Sequence, residues 1–151
     1  MIVYRIASPT FIGDLSGAGA KQYGGRWNDI GIAMVYFAES RPMAVMEVLT
    51  HLRPEELDRE FTLAEFDVPE DNVFSVKVKD LPDDWKTANR ANFLKGIGAD
   101  FISKNKYLLL KVPSVILEEE YNFILNPNHP DAKKVKLISS RVFEFDRRLK
   151  N

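Results

Sequence analysis

The chain has 151 residues, of which 45% are hydrophobic, and its 21 basic and 22 acidic side chains leave a formal net charge of −1. This length and composition indicate a single globular domain over 1–151 with a substantial core, and the balanced charge gives no basis for direct binding of nucleic acid or of an anionic membrane. The absence of cysteine excludes disulfides and thiolate metal sites, and without the pattern of a signal peptide or a membrane span we expect a soluble cytoplasmic protein.

The first half of the chain places strand-like and helix-like segments around a glycine-rich loop. Alternating β-branched and aromatic residues predict a strand over 2–6. A long loop over 13–25 follows and holds five of the eight glycines. An apolar run over 32–38 predicts a buried strand, and a helix is predicted over 41–52, with Ser40 as its N-cap.

The second half is richer in strands. Its patterns predict one helix, over 89–103, although two glycines in this segment weaken the prediction. Strands are predicted over 61–68, 73–78, 107–112, 121–125 and 142–146. Because strands predominate and do not alternate regularly with helices, we expect an α+β fold with a twisted, mostly antiparallel sheet and flanking helices.

The segment Gly24-Gly25-Arg26-Trp27-Asn28, called the arginine loop below, is a candidate anion site. Its two glycines permit a tight or positive-φ backbone. A guanidinium beside such a backbone suits bidentate binding of phosphate. A surface arginine stacked on Trp27 fits the same residues equally well, so the loop alone leaves both interpretations open.

Two further candidates follow this loop. Glu47 is the single charge in the apolar part of the predicted helix, with His51 one turn away. A solvated edge residue and a functional acid both fit Glu47, and the first is commoner. Tyr36 lies in an apolar strand, where packing with a satisfied hydroxyl is commoner than stacking on a ligand. The two histidines do not have metal-ligand spacing, so no metal site is predicted.

The remaining candidates are polar residues in the last third of the chain and one arginine in the first strand. Ser114 lacks the Gly-x-Ser-x-Gly pattern of a serine hydrolase, so a triad with His129 has little support. Asn122 and Asn126 flank a buried strand, and their amides must either fix the adjoining loop or hold a ligand. Arg5 lies in the middle of the first strand, either as an edge-strand charge or as a second anion contact.

Three blocks of the chain together resemble the RES domain family. They occur in the family's order and span most of the chain: Tyr4-Arg5-Ile6 with the glycine-rich loop; the arginine loop with Gly31, Tyr36, Ala38, Ser40, Ala44 and Glu47; and Pro113-Ser114 with the run from Asn122 to Pro130. In the last block Phe123 and Ile124 stand where the family has tyrosine and leucine.

The resemblance implies the toxin of a bacterial toxin–antitoxin pair with an ADP-ribosyltransferase-like fold. Such a toxin consumes NAD by hydrolysis, by phosphorolysis or by ADP-ribosyl transfer to a protein, and needs no cofactor beyond NAD as its substrate. The implied partner is an Xre-like antitoxin with a helix-turn-helix region. It covers the active site, in a complex that by family analogy contains two or more toxin copies.

The resemblance also assigns site residues. The catalytic positions that it implies are Arg26, Tyr36, Glu47 and Ser114. The chemistry of the residues adds the expected NAD-binding positions, which are Arg5, Gly25, Trp27, Asn28, Asn122, Asn126 and His129. In this assignment Glu47 stabilises the charge that develops on the ribose, and Arg26 and Arg5 grip the pyrophosphate. Tyr36 stacks on the nicotinamide, and Ser114 bonds to the nicotinamide amide or the ribose. The alternative is a non-catalytic module that binds a phosphate-bearing ligand or a protein through the arginine loop, with Glu47 dispensable.

Overall fold

Residues 1–150 are described by a computed structural model, and the expected domain end at Asn151 lies outside them. Within this range seven strands form one sheet in the order β4-β5-β6-β2-β1-β3-β7. Only β4 and β5 are parallel, and every other neighbouring pair is antiparallel, as expected. The strands are β1 (Ile2–Ala7), β2 (Val35–Ala38), β3 (Phe61–Asp67), β4 (Val73–Ser75), β5 (Leu109–Pro113), β6 (Tyr121–Leu125) and β7 (Lys136–Phe143).

Three α-helices occur in residues 1–150: α1 (Ala18–Tyr23), α2 (Arg41–Leu49) and α3 (Ala91–Lys104). The predicted cap of α2 is confirmed, because the Ser40 hydroxyl accepts a hydrogen bond from the Met43 amide at 3.2 Å. The helix α1 lies in the segment predicted to be loop. Its six residues are too few to show a helical repeat of apolar side chains. None of these helices is long and apolar enough to cross a membrane.

The sheet is strongly curved, as the connection between β3 and β4 requires. These strands lie five spacings apart in sheet order, which is about 24 Å on a flat sheet. Only residues 68–72 join them, and their six Cα steps reach at most about 21 Å when fully extended. The sheet therefore bends so that its two halves approach each other, although β3 and β4 do not pair.

The curvature divides the core into an inner and an outer part. The inner face of the sheet closes on itself, and the Phe37 and Phe66 rings pack there with centroids 5.1 Å apart. On the outer face, α2 covers the half containing β1. The helix α3 covers the half containing β5 and β6. The outer face carries the candidate site.

The last predicted strand, over 142–146, is wrong in position. The strand β7 spans Lys136–Phe143 and pairs with β3 at one edge of the sheet. The register of this pair shifts between Glu65 and Phe66, which is the signature of a β-bulge. A bulge interrupts the alternation of side chains, so the period-2 pattern that identifies strands is lost in this segment.

The two glycines of α3 have different roles. A Cβ atom added at Gly98 would overlap the carbonyl oxygen of Trp27 and lie 2.9 Å from Cε of Met34, whereas nothing lies within 4 Å of one added at Gly96. The glycine at 98 therefore lets α3 pack directly on the backbone of the arginine loop. This packing explains why a helix tolerates glycine at this position despite its low propensity.

Gly98→Ala is expected to lower the free energy of unfolding by about 1–3 kcal/mol, because the added methyl group pushes α3 away from the arginine loop. Gly96→Ala is the matched control in the same helix and should raise stability by about 1 kcal/mol through helix propensity. Urea unfolding followed by circular dichroism measures both. Equal stability of the two variants would contradict the close approach.

Candidate active site

The carboxylate of Glu47 is held from one side by two side chains that are distant in sequence. The hydroxyl of Ser114, after β5, donates to Glu47 Oε1 at 2.7 Å, and the amide of Asn122, on β6, donates to the same oxygen at 2.7 Å. Within residues 1–150, Oε2 accepts no hydrogen bond. Glu47 is half-buried, so the carboxylate has a fixed orientation and one oxygen available to a ligand.

Ser114 orients this carboxylate through its hydroxyl group and does not act as a nucleophile. Its side chain is only 1% exposed, and its hydroxyl oxygen accepts hydrogen bonds from the amides of Ile116 and Leu117 at 3.1 and 3.4 Å. The hydroxyl proton is directed at Glu47, so the predicted contact of Ser114 with the nicotinamide amide or the ribose finds no free donor. The weak expectation of a Ser114–His129 pair is wrong.

Tyr36 lies beside this cluster on the same face of the sheet. In the β2–β6 register Tyr36 is opposite Ile124 and Ala38 is opposite Asn122, so Tyr36 and Asn122 are diagonal neighbours about 7–8 Å apart. The Tyr36 hydroxyl donates to Asn28 Oδ1 at 2.7 Å and accepts from the Trp27 amide at 3.2 Å. Burial raises the pKa of Tyr36, so the phenol stays neutral at physiological pH.

Asn28 organises the arginine loop from inside. Its side chain is fully buried, and its amide nitrogen donates to three backbone carbonyls at 2.9–3.1 Å, those of Ala20, Asp29 and Ile32. A Cβ atom at Gly25 would lie 2.8 Å from both Asn28 Oδ1 and Tyr36 Oη. Gly25 and Asn28 are therefore required by the packing of the loop on Tyr36, whatever the ligand.

The loop turns Trp27 inward and Arg26 outward. The Trp27 side chain is buried in the core beneath α3, so it does not present a stacking surface to solvent. Arg26 is exposed and, within residues 1–150, forms no side-chain hydrogen bond or ion pair. Burial raises the pKa of the Tyr36 phenol, and the positive charge of Arg26 is close enough to oppose this rise. The guanidinium is therefore available to an anion next to Tyr36.

Arg5 is not part of this cluster. Tyr4 is opposite Ala38 in the β1–β2 pair, so the neighbouring Arg5 side chain lies on the other face of the sheet. Its Nη1 donates at 2.9–3.3 Å to the carbonyls of Phe11, Ile12 and Asp14. Arg5 therefore lies on the opposite face of the sheet from Tyr36. Its hydrogen bonds close the loop after β1, so it does not provide the second anion contact that was one of its two expected roles.

Asn126 and His129 also lie apart from Glu47. Asn126 follows the end of β6, about 13 Å along the strand from Asn122. Its buried amide bonds to Asn105 and to the amide of Asn128. The His129 ring contacts the side chain of Asn72 and the amide of Asp131. These contacts fix the loop after β6, which is one of the two roles that the sequence left open for Asn126.

Four exposed apolar side chains adjoin site residues in the chain and were not anticipated from the sequence. Tyr23 and Ile30 flank the arginine loop, Met46 precedes Glu47, and Leu117 follows Ser114 closely. We call these four side chains the rim. Two cavities of about 340 and 410 Å³ lie elsewhere, and Arg26, Tyr36 and Glu47 line neither.

Comparisons with known proteins identify a family for this chain. A family model described as the RES domain matches residues 2–147. The chain is 40% identical over 139 residues to the Prs ADP-ribosylating toxin of Sphingobium sp. (strain YBL2), covering 90% of this chain and 86% of the relative. It is 37% identical over 151 residues to Toxin Res of Photorhabdus laumondii, covering 99% and 97%.

The fold also matches a solved structure. A chain in the crystal structure of the M. tuberculosis MbcT–MbcA toxin–antitoxin complex superimposes with a TM-score of 0.79 at 18% identity, covering 98% of this chain and 85% of that chain. At this identity the likeness concerns the fold. It confirms the expected fold class, since the two chains share the architecture over nearly their whole length.

Tyr36→Phe is expected to lower the free energy of unfolding by about 1–3 kcal/mol, because it leaves the buried Asn28 carbonyl oxygen without its donor. Tyr23→Phe removes a hydroxyl from an exposed side chain and should change stability by less than about 0.5 kcal/mol. Chemical denaturation followed by tryptophan fluorescence compares the two. Equal losses in both variants would show that the Tyr36–Asn28 bond contributes little.

Proposed function

The chain belongs to the RES domain family, and we propose that it is the toxin of a toxin–antitoxin pair that breaks the nicotinamide–ribose bond of NAD. The observation that carries the proposal is the Glu47 carboxylate, which is oriented through Oε1 and open at Oε2. The names of the relatives, an ADP-ribosylating toxin and Toxin Res, support it.

The proposed reaction needs a fixed negative charge near the ribose. When the bond between C1′ and the nicotinamide nitrogen breaks, its electron pair goes to the nitrogen, which becomes neutral. Positive charge then develops on C1′ and the ring oxygen. A carboxylate already held in place stabilises this charge without a cost for reorientation. Glu47 has this role in the proposal, with Ser114 and Asn122 as positioning residues. The step uses no cofactor other than NAD as substrate.

Arg26 and Tyr36 complete the proposed site. The exposed guanidinium of Arg26 has no partner within residues 1–150 and would bind the pyrophosphate of NAD. The Tyr36 ring lies between the arginine loop and Asn122 and would form the wall against the nicotinamide. Because its hydroxyl is bonded to the loop, Tyr36 also holds Arg26 at a defined place relative to Glu47.

The second half of the reaction transfers ADP-ribose to an acceptor. A new bond forms between C1′ and an acceptor atom, whose proton passes to solvent. Water gives ADP-ribose, phosphate gives a phosphorylated ADP-ribose, and a protein side chain gives a labelled protein. Incubation of the chain with radiolabelled NAD, phosphate and a cell lysate separates these products. Intact NAD in every arm would overturn the enzymatic proposal and favour a binding module.

We further propose that an Xre-like antitoxin covers this site and contacts the rim. The rim side chains are apolar and exposed, and they adjoin Arg26, Glu47 and Ser114 in the chain. A protein that buried them would lie over the loop and the helix that carry the site. The structural neighbour belongs to a toxin–antitoxin complex, which supports a partner of this kind.

Glu47→Gln is expected to reduce NAD consumption at least about 100-fold, because it removes the charge that stabilises the developing cation. The glutamine oxygen still accepts from Ser114 and Asn122, so the fold should be retained. The exposed Glu70, in the connection between β3 and β4, provides the matched control, since Glu70→Gln removes the same charge in a different part of the fold. Chromatography of NAD over time measures both variants. Full activity of Glu47→Gln would remove this residue from the mechanism.

Asn122→Ala is expected to lower kcat about 10-fold or more with a smaller change in KM, because it frees the carboxylate to rotate. In the Glu47→Gln background the same substitution should have little further effect, since residues that act as one unit are not additive. A double-mutant cycle on kcat provides the test. Additive losses would show that Asn122 does not act through Glu47.

A further inference from the structure

The start of β6 and the turn before it carry both hydrogen-bond donors of the Glu47 carboxylate. Ser114 directly follows β5, and Asn122 is the second residue of β6. The Ser114 amide donates to the Glu120 carbonyl at 2.9 Å, which closes the turn over 114–120. The orientation of the carboxylate therefore depends on how the start of β6 is held.

A side chain at the end of β2 holds the start of β6. The Tyr121 amide donates to Glu39 Oε1 at 2.8 Å, and the Glu39 amide donates to the Tyr121 carbonyl at 3.3 Å. Continuing the β2–β6 register one residue beyond Ala38 and Asn122 places Glu39 opposite Tyr121. In a regular antiparallel ladder such a pair exchanges two main-chain hydrogen bonds. Here the carboxylate replaces one main-chain carbonyl, so the last rung beside Asn122 depends on a side chain.

The Glu39 side chain lies on the opposite face of the sheet from the site. Successive residues of an extended chain point to opposite faces, and Ala38 shares the outer face with Asn122. The position of Lys111 agrees with this, because its charge acts on Glu39 and it is opposite Phe123, which belongs to the inner core. Glu39 is therefore connected to the site through the backbone of β6.

Charged groups gather around this rung. Burial, followed by the neighbouring carboxyl group of Glu120, raises the pKa of Glu39 above its ordinary value, whereas the Tyr121 amide and the Lys111 charge lower it. The Lys111 ammonium also lies 4.2 Å from the centroid of the Tyr121 ring. The start of β6 is thus fixed at the amide, the carbonyl and the ring of Tyr121.

We propose that Glu39 is a positioning residue for Glu47. Its carboxylate closes the β2–β6 ladder at Tyr121 and thereby keeps Asn122 and Ser114 where they orient the Glu47 carboxylate. Without this rung the start of β6 separates from β2, and both donors move with it. A displacement of about 1 Å at a catalytic group can cost about 100-fold in rate. The inference rests on the NAD chemistry proposed above, in which Glu47 needs a fixed orientation.

Glu39→Ala is expected to lower kcat for NAD about 10-fold with a smaller change in KM. Glu39→Gln should keep most of the wild-type kcat, because its Oε1 can accept the same hydrogen bond and its NH₂ group can donate to Glu120. In the Glu47→Gln background Glu39→Ala should have little further effect. Glu39→Asp, which is too short to make this bond, takes the place of Glu39→Ala if that variant does not fold.

Three kinetic results would overturn the proposal. The first is a wild-type kcat in the variant that lacks the bond. The second is a loss in Glu39→Gln as large as that in Glu39→Ala, since glutamine keeps the acceptor oxygen. The third is an additive loss in the Glu47→Gln background, since it would show that Glu39 does not act through Glu47.

Nuclear magnetic resonance of the NAD-free chain separates this inference from the proposed function. The side-chain amide of Asn122 reports its contact with Glu47. Its resonances should shift in Glu39→Ala, with faster hydrogen exchange at the Ser114 amide, and both should stay close to wild type in Glu39→Gln. Unchanged Asn122 resonances in Glu39→Ala would overturn the positioning role. A wild-type chain that leaves NAD intact but shows these shifts would overturn the NAD chemistry and retain the structural link.

Discussion

The hydrogen bond from the Tyr36 hydroxyl to the buried Asn28 side chain connects the two parts of the site. On one side, Asn28 fixes the backbone of the arginine loop through three carbonyls, and the loop turns Arg26 to solvent. On the other side, Tyr36 belongs to β2, whose register with β6 sets the position of Asn122. A single buried contact therefore relates the cationic and the anionic ends of the site to one another.

The arrangement of Glu47 shows how a carboxylate can be fixed without being neutralised. Both of its donors are uncharged, and both bind the same oxygen. An arginine or lysine in their place would orient the group equally well but would cancel the negative charge that a developing cation needs. Neutral donors on one oxygen keep the charge and leave the second oxygen to the substrate.

The sequence predicted the elements that carry the site better than it predicted the contacts between them. The helix carrying Glu47 and its cap at Ser40 were predictable, because capping and apolar periodicity are local properties. The strand β7 was misplaced because a bulge interrupts its alternation, and the short helix α1 has no periodicity to detect. Gly98 appeared only to weaken a helix, since its contact with Trp27 joins residues far apart in the chain.

The sequence by itself determined which residue types are present and which local elements carry them. The order of the three motif blocks was enough to indicate the family. Tertiary structure alone decided that Glu47 meets Ser114 and Asn122, which lie 67 and 75 residues away, and that Arg5 and Asn126 lie elsewhere. The reason is that side-chain proximity across a sheet depends on strand register and curvature, and long-range pairing sets both.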